Sequence, residues 1–318
     1  MTRRGTVLLR PTGAMFSTVW LVVGFVEWCR LNRKVPIVDL RTVKALNHWS
    51  GSKQRNSWTE YFRQVSSASL AEALTSDSYE VFSGRPNVFP VLEYSVLSNY
   101  RDAYRKTVRL SDRSQAFVNP WLEFLAEEGR VLGVHMRGTD MRVAKSHMAP
   151  PTSFQIFTMV DRALDSGSFD SIFVASEDER SLAAIHARYG NRVLTSDSFR
   201  TRSTMKLSRM KSPVMQWPLV LGLQVIRDTW MLAHCDGLVS GHSNVSEHAQ
   251  VIRDRPYAVN YQIRRPRVDV FGSSQPAIRV TNFLREISVS RRVGPDFRII
   301  DRSQLTGDSS RDWSPAVV

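Results

Sequence analysis

The sequence has few cysteines and no long apolar run, and both features limit the class of protein. The two cysteines, Cys29 and Cys235, are too few for a disulfide framework, and each lies in an apolar, helix-like run that predicts a reduced, buried thiol. The apolar stretch 18–26 is followed closely by Glu27 and Arg30, and it is shorter than the ~20 residues that a membrane-spanning helix needs. We therefore expect a buried core helix there and a cytoplasmic protein.

A metal-ligand pattern is also missing from the sequence. The chain has seven histidines, but His242 and His248 are six residues apart and Cys235 does not complete a zinc-like spacing with them. We therefore expect no metal site, because the ligand types present do not recur at the intervals that metal sites use.

Acidic residues are outnumbered, with 43 lysines and arginines against 30 aspartates and glutamates and a formal net charge of +13. Such an excess favours an anionic partner, which includes nucleic acid, an anionic membrane surface and a phosphorylated small molecule. The basic residues are scattered, and no dense basic run is interleaved with aromatic residues, so we do not expect nucleic-acid binding. Peripheral contact with anionic lipid at the inner face of the membrane stays open.

Apolar runs and helical periodicities alternate along the chain, which predicts an α/β protein of two domains. We predict an N-terminal α/β domain over 1–129, a Rossmann-like domain over 130–262 and an extension over 263–318 whose end is frayed. The N-terminal βαβ unit consists of a strand, a helix and a strand at 6–9, 17–32 and 35–40. The second domain has predicted strands at 131–136, 171–176, 192–195, 237–240 and 257–260.

Two local patterns in the N-terminal part also predict structure. Trp58, Tyr61 and Phe62 recur at helical spacing, which favours rings that pin a loop to the core over rings that stack on a sugar. The pair Asn119 and Pro120 predicts a break before a helix over 121–128.

Polar side chains follow the apolar run 131–134, which predicts a strand that carries them to the ligand-binding edge of an α/β sheet. His135 and Arg137 are two apart and point the same way on an extended backbone, with Asp140 close behind. A guanidinium beside an imidazole suits a phosphate with an attached ring or sugar. The alternative interpretation is a strand that ends in a salt-bridged loop.

A second polar cluster follows the predicted strand 237–240. Asn244 and Glu247 have the spacing of a capping box, which predicts a helix over 244–252 with Asn244 as its N-cap. Ser243, Asn244 and Ser246 would flank free N–H groups and form an anion site, although an ordinary capped helix has the same pattern. Because this helix start and Arg137 fall at one sheet edge, we predict a diphosphate site.

Two further features are candidates for substrate contact. Asp228 shares a helix face with Gln224, and its carboxylate could accept from the ring N–H and the amine of a guanine; the alternative is a solvated helix face. The turn 11–17, with Gly13 and Phe16, follows the first strand and either lies over a ligand or is a plain connection.

Four of these elements, taken in order, resemble the fucosyltransferase superfamily. That superfamily contains the bacterial nodulation α1,6-fucosyltransferases, the animal core α1,6-fucosyltransferases and the protein O-fucosyltransferases. The N-terminal segments 13–17, 35–39 and 58–62 look like the bacterial members, and the likeness spans roughly 6–260. The four elements are 133–140, 174–178, 225–228 with 232–236, and 243–247.

The resemblance implies a GT-B fold, in which two Rossmann-like domains face a cleft, and an inverting enzyme with GDP-fucose as donor substrate. It implies no cofactor and no metal. The acceptor would be a glycan or glycolipid, such as a polysaccharide, a lipid-linked glycan or a small glycoside. By position, the resemblance places His135 at the nucleoside, Arg137 on the β-phosphate, Asp228 on guanine, and Ser243, Asn244 and Ser246 around the diphosphate.

The sequence departs from the α1,6 enzymes directly after Arg137. Those enzymes carry a second arginine where this chain has Gly138, so the matching phosphate contact is absent or comes from Arg142, Lys145 or the loop 200–211. The carboxylate proposed as base in the animal enzymes falls near Lys145. Asp140 is then the nearest carboxylate at this edge, and it either serves the acceptor or orients Arg137. Transfer from another nucleotide sugar and a catalytically silent GDP- or glycan-binding module remain the alternatives.

Overall fold

In a computed structural model the chain forms two compact units, each with its own β-sheet. The first unit contains Met1–Asn119 and Lys211–Arg227, and the second contains Pro120–Met210 and Asp228–Val318. The sequence placed the division at 129 and did not anticipate the segment that returns to the first unit. The structure describes residues 5–10, 14–41, 55–75, 79–82, 97–142, 150–203, 210, 217–264 and 298–301.

The first unit is built on a parallel sheet in the order β2-β1-β3, with strands β1 (Thr6–Leu9), β2 (Val35–Val38) and β3 (Tyr79–Phe82). Helix α1 (Met15–Leu31) connects β1 to β2 and confirms the predicted βαβ unit. Its Val19, Val22 and Phe25 are fully buried, so the apolar run forms a core helix as predicted. Among the described helices, none is long and apolar enough to cross a bilayer.

An aromatic cluster fixes helix α2 (Ser57–Tyr61) to the core of this unit. Trp58, Tyr61 and Phe62 are at most 3% exposed, and the ring centroids of Trp58 and Phe62 are 4.6 Å apart. The side chain of Asn56 caps the helix by accepting from the Trp58 N–H at 3.2 Å. The prediction that these rings pin the segment to the core is confirmed. Two further helices, α3 (Leu70–Thr75) and α4 (Leu97–Thr107), follow.

Helix α5 (Asp112–Glu127) continues through Pro120, so the prediction of a helix break at this position was wrong. Proline has no N–H to donate to the preceding turn, and its ring crowds that turn. The flanking Val118 and Leu125 are both buried, and tertiary packing on either side of the proline outweighs its poor helix propensity.

The second unit contains a six-stranded sheet in the order β6-β5-β4-β7-β8-β9. All neighbouring strands are parallel except β8 and β9, which are antiparallel. Every residue of β4, β5 and β7 is buried because helices cover both faces of the sheet. The strands are β4 (Val131–His135), β5 (Ser171–Ala175), β6 (Val193–Thr195), β7 (Gly237–Gly241), β8 (Asn260–Arg264) and β9 (Arg298–Asp301).

Two pairs of helices cover the two faces of this sheet. Helices α6 (Ser153–Ser166) and α7 (Glu179–Tyr189) share a core with Leu132 and Val134 of β4. Helices α8 (Trp217–His234) and α9 (Asn244–Ile252) share the opposite core with Val131. Successive β4 side chains therefore alternate between the two helix layers, as the strand geometry requires.

The last strands differ from the prediction. Strand β8 begins at Asn260, whereas the sequence predicted a strand over 257–260. The buried Tyr257 donates its hydroxyl to the Leu232 carbonyl at 3.0 Å, so this apolar stretch packs against α8 before the strand starts. Strand β9 lies where the sequence pattern had faded. The end predicted to be frayed, 301–318, starts at the last residue of β9, and its other residues lie outside the described part of the chain.

Both cysteines are buried and free, as predicted. Burial raises the pKa of the Cys29 thiol to about 12 and also raises the pKa of the Cys235 thiol. Neither side chain therefore provides a reactive thiolate at neutral pH.

Candidate functional site

The candidate site lies where the strand order of the second sheet reverses direction. Strands β5 and β6 follow β4 on one side, and β7, β8 and β9 follow on the other, so β4 and β7 are neighbours. They pair in parallel from Leu132 opposite Gly237 to His135 opposite Ser240. Open parallel sheets bind ligands outside the carboxyl ends of their strands at such a reversal, because the connections diverge there and leave a crevice.

Two buried polar side chains lie at or next to the carboxyl ends of these strands, and both have an unused hydrogen-bonding atom. His135 is 3% exposed and Ser240 is fully buried, and within the described part of the chain neither His135 Nδ1 nor Ser240 Oγ has a hydrogen-bond partner. As cross-strand partners they project to the same face, the one covered by α8 and α9. Unpartnered buried polar atoms are costly, and here they mark a place where a polar ligand would complete the hydrogen bonding.

Burial also fixes the charge state of His135. Desolvation of the ring, with a smaller contribution from the Arg137 guanidinium, lowers the pKa of His135 to about 3. The ring is therefore a neutral hydrogen-bonding group at physiological pH and adds no charge to the site.

The turn after β4 is held by Glu177, which follows β5. Its Oε1 lies 3.5 Å from Arg137 Nε and accepts from the Gly138 N–H at 3.2 Å and the Thr139 hydroxyl at 3.1 Å. Thr139 has a φ of 45°, a left-handed conformation that a β-branched residue adopts only when its surroundings enforce it. Glu177 therefore stabilises a strained turn that presents Arg137 with its side chain 34% exposed.

The same turn approaches the start of α7 so closely that it excludes a side chain at position 138. A Cβ on Gly138 would lie 2.5 Å from Asp178 Oδ2 and 2.6 Å from Asp178 Cβ. Asp178 is buried and caps α7, accepting from the Arg180 N–H at 3.0 Å and the Ser181 hydroxyl at 3.1 Å. This packing leaves no room for an arginine side chain directly after Arg137.

Helix α9 begins at Asn244, but its N-cap is Ser243, so the prediction of Asn244 as N-cap was wrong. The Ser243 hydroxyl accepts from the Val245 N–H at 3.1 Å. With Ser243 as the cap, the third helical residue is Ser246, and Glu247 is out of register for the predicted capping box. Glu247 is instead 1% exposed, in the interior.

The predicted anion-binding residues divide into two groups. Ser243 and Asn244 lie at the end of β7, where Asn244 is exposed in the first turn of α9. Ser246 is fully buried, and its hydroxyl lies 2.9 Å from the Gly241 carbonyl and 3.0 Å from the Ser243 carbonyl. Ser246 therefore braces the turn before α9.

Asp228 is buried in α8 and is directed to the segment that follows β6. The hydroxyl groups of Ser196 and Ser198 donate to its two carboxylate oxygens at 2.8 and 2.9 Å. At 8% exposure the residue does not lie on a solvated helix face, so that alternative interpretation was wrong. A guanine bound by Asp228 would share the carboxylate with the two serines. Arg200 donates to the carbonyls of the same two serines, at 2.6 and 2.8 Å.

The remaining predicted residues are Phe16, which belongs to the first unit, and residues that are described only in part or not at all. Phe16 is in α1 of the first unit with 3% of its surface exposed, which leaves no ring face for a sugar. Gly13, Lys145 and the side chains of Asp140 and Arg142 lie outside the described residues. The backbone of Asp140 belongs to a short 3-10 helix, Thr139–Arg142. No group of three or more potential metal ligands occurs among the residues that the structure describes.

Two residues of this edge, Glu177 and Ser240, were expected here from the sequence but were assigned no role in the predicted site. Both follow from the same signal that identified His135, since each stands at or just after the carboxyl end of a buried strand. Their polar contacts, however, depend on which strands are neighbours, and the sequence pattern does not specify the strand order.

Comparison with known proteins gives a relationship at the level of structure. No protein-family profile and no curated protein sequence matches the chain. The structure is similar to NodZ α1,6-fucosyltransferase co-crystallised with GDP, at a TM-score of 0.56 and 10% identity over 83% of this chain and 96% of that one. NodZ soaked with GDP-fucose gives a TM-score of 0.54 at 12% identity, over 94% of this chain and 99% of that one. Fucosyltransferase NodZ from Bradyrhizobium is another solved structure to which the chain is similar.

A plant enzyme shows the same similarity. A mutant of Arabidopsis thaliana FUT1 in complex with GDP gives a TM-score of 0.50 at 9% identity, over 86% of this chain and 73% of that one. At these identities the similarity shows the fold. The predicted α/β, GT-B-like fold class is therefore confirmed.

Proposed function

We propose that the protein is an inverting glycosyltransferase that transfers fucose from GDP-fucose to a hydroxyl group of a glycan. The observation that carries the proposal is the pair of buried, unsatisfied atoms on His135 and Ser240, beside Arg137 and the first turn of α9. The fold, shared with fucosyltransferases that have been crystallised with GDP and GDP-fucose, supports the choice of donor. The four ordered sequence elements support it independently of the fold.

The nucleoside would be recognised by uncharged and anionic groups of the second unit. The neutral His135 ring can exchange hydrogen bonds with the ribose or the base, and Ser240 supplies a hydroxyl on the same face. The Asp228 carboxylate, oriented by Ser196 and Ser198, accepts from the two adjacent donors of guanine. A uracil has no such adjacent pair of donors, so Asp228 would select GDP over UDP.

The diphosphate would be bound by Arg137 and the N-terminus of α9. When the sugar–oxygen bond breaks, its electron pair stays with the β-phosphate, whose negative charge grows as the sugar gains oxocarbenium character. A guanidinium and backbone N–H groups that are already in place stabilise this charge most strongly in the transition state. Glu177 holds Arg137 and Ser243 caps the helix, so both donors are positioned before the ligand binds.

The acceptor hydroxyl has to lose its proton as it attacks the sugar. We propose that Asp140 either takes the proton of the acceptor hydroxyl or orients Arg137, because it is the first carboxylate after the strand. A glycan or glycolipid is the acceptor class, and the net charge of +13 supports peripheral contact with an anionic membrane surface.

We also propose that transfer is metal-independent. The positive charge that a divalent cation supplies in other nucleotide-sugar enzymes is provided here by Arg137 and the α9 helix dipole. A second candidate function, a GDP-binding module without turnover, is favoured by the packing of Asp178 against Gly138, which excludes a second cationic side chain.

The proposal is tested with a thermal-shift panel of GDP, UDP, CDP and their sugars, followed by a turnover assay. We expect GDP and GDP-fucose to raise the melting temperature more than the other ligands, since a ligand at ~100 times its Kd stabilises by about 2.7 kcal/mol. Asp228→Asn, which keeps the side-chain size, should remove the preference for guanine.

The assay then separates the two candidate functions. Release of GDP from GDP-fucose that survives EDTA supports the metal-independent transferase. Binding of GDP without any release, with or without a range of glycan acceptors, would favour the silent module, and no preference for guanine nucleotides would refute both.

A further inference from the structure

The turn between β7 and α9 places a partly exposed histidine beside a buried carboxylate. His242 Nδ1 lies 3.2 Å from Glu247 Oε1, with side-chain exposures of 31% and 1%. The ring N–H does not point straight at this oxygen, so the contact is a close charge pairing without hydrogen-bond geometry. Gln262 of β8 donates to the same oxygen at 2.6 Å. These two contacts bring a neutral donor and an ionisable ring to the same carboxylate oxygen.

A positive charge on His242 would help to compensate the buried Glu247 carboxylate. A buried carboxylate costs several kcal/mol unless a cation or several hydrogen bonds compensate it. The first turn of α9 also favours a negative side chain there, because the helix N-terminus is the positive end of the dipole. A protonated His242 would place a positive charge beside Glu247, just after the end of β7, on a side chain that is 31% exposed.

The position of His242 connects this pair to the candidate site. It directly precedes the N-cap Ser243 and follows the end of β7, two residues from Ser240. A diphosphate at the start of α9 would approach the buried charge of Glu247, and the two like charges would repel each other. An imidazolium between them removes this repulsion and offers a charge-assisted hydrogen bond.

We propose that His242 is a second cationic contact for the diphosphate and that Glu247 is a positioning residue that holds its ring. The inference rests on the proposed function and deepens it, because it assigns the charge that position 138 is too crowded to carry. No proton is transferred by His242 in this role. It binds the diphosphate most tightly when protonated, so donor affinity depends on pH.

Among the described residues around the turn, two other histidines keep one charge state over the relevant range. His135 on β4 and His248 on α9 are buried, and burial lowers the pKa of each to about 3. Arg137 after β4 keeps its charge throughout, and β8 contributes the neutral Gln262 at this point. The segment 150–156, which packs on Gly241 through Pro151, has no charged residue.

The test is calorimetry of GDP-fucose binding without acceptor, from about pH 5.5 to about pH 8.5. This probe is chosen because its two phosphates do not titrate in that range, unlike the terminal phosphate of GDP. We expect the affinity of the unmodified protein to fall by about tenfold over the range, the effect of one charge-assisted hydrogen bond.

Two substitutions separate charge from size. His242→Gln should bind about tenfold more weakly than the unmodified protein at low pH, with no pH dependence. His242→Arg, which keeps a permanent cation, should bind tightly at every pH. Glu247→Gln keeps an oxygen that can accept from Gln262. This variant should bind GDP-fucose more weakly at low pH, and its melting temperature serves as the check that it is folded.

The matched control is His234→Gln. His234 is exposed at the end of α8, which precedes the opposite edge of the sheet, and its ring contacts only the Trp230 carbonyl among the described hydrogen bonds. Its removal should leave affinity and pH dependence unchanged.

Several results would overturn the inference and would be distinguishable from failure of the proposed function. Unchanged affinity and pH profile in His242→Gln would exclude a phosphate contact while leaving the GDP-fucose proposal intact. Unchanged binding with lost turnover would make His242 a proton acceptor and would equally refute the inference. An unmodified protein that does not bind GDP-fucose at any pH would refute the proposed function itself.

Discussion

His135 and Arg137 are two residues apart, but they differ in burial, and as a result one side chain is neutral and the other is charged. The His135 ring is 3% exposed and its pKa is lowered to about 3 by burial, so it stays neutral. The Arg137 side chain is 34% exposed, and a guanidinium keeps its charge in any protein environment. The sequence predicted that both would stand at one edge, and the structure adds that only Arg137 can supply charge there.

At this scale we predict that Arg137→Ala lowers transfer by about 100-fold and weakens GDP binding, the loss seen when one donor to a developing charge is removed. The free energy of unfolding should change by less than about 1 kcal/mol, because the ion pair with Glu177 is partly exposed and 3.5 Å long. Calorimetry with GDP and an assay of GDP release measure the two effects.

The matched control for this variant is Arg255→Ala. Arg255 also pairs with a carboxylate, Asp236 Oδ1, at 3.1 Å, but it lies beside the start of β7 at the opposite edge of the sheet. Its removal should leave both measurements unchanged. GDP affinity that survives the loss of Arg137 would remove that residue from the proposed site.

At the scale of whole elements, the first residues of helices α7 and α9 determine the local geometry of the site. Helix α7 is capped by Asp178, whose side chain occupies the space beside Gly138. Helix α9 is capped by Ser243, one residue earlier than the sequence pattern indicated. In both cases only one or two residues separate the strand from the cap residue, so the loop is short and its backbone has little freedom to accommodate another side chain.

We predict that Gly138→Ala destabilises the protein by about 1–3 kcal/mol, because the new Cβ would lie 2.5 Å from Asp178 Oδ2 and force the cap to move. Asp178→Ala should cost about 1 kcal/mol through loss of the α7 cap. The double variant should be more stable than the sum of the two losses implies, since the clash and the cap involve the same side chain. Urea unfolding measures all three free energies.

Strict additivity in this cycle would show that the two residues do not interact. Gly190→Ala is a useful contrast, because Gly190 has a φ of 59° and open space around it. Its cost should come from backbone strain alone and should not change when Asp178 is replaced.

At the scale of the whole molecule, buried histidines connect stability to pH. His135 and His248 are both buried in the second unit, and burial lowers the pKa of each to about 3. An unfolded histidine has a pKa near 6.5. Between these values the unfolded chain binds protons that the folded chain does not, so their stabilising contribution is complete above about pH 6.5 and is lost as the pH falls.

We predict that the free energy of unfolding decreases from about pH 6.5 to about pH 5 by up to ~1.4 kcal/mol per pH unit for each of the two histidines. His248→Gln should remove about half of this slope, because Gln cannot be protonated. Burial opposes the ionisation of Asp39, but its bonds to Arg41 and Arg10 lower its pKa overall. Its stabilising contribution is lost only at a lower pH, so it does not add to the slope measured here. Urea unfolding at several pH values gives the slope.

His186→Gln is the control, since His186 is exposed on the surface of α7. An identical slope in His248→Gln and in the unmodified protein would contradict the assignment of His248 as a neutral buried ring.

The first βαβ unit, the alternation of strands and helices from β4 to α9, the buried cysteines, the aromatic pin at Trp58 and the strand that ends at His135 followed from the sequence alone. Each depends on local periodicity or on residue type, and both are readable along the chain. Helix α5 differs because packing around Pro120 outweighs a local preference, and β8 starts later because Tyr257 binds a distant carbonyl.

Only the tertiary structure brought Ser240 beside His135, placed Glu177 under the Arg137 turn and paired His242 with Glu247. The residues of the first two pairs are about 40 to 105 positions apart in the chain, and even the last pair depends on Glu247 turning inward. Strand order and the direction of side chains are set by which buried surfaces fit together, and no pattern within a single segment contains that information.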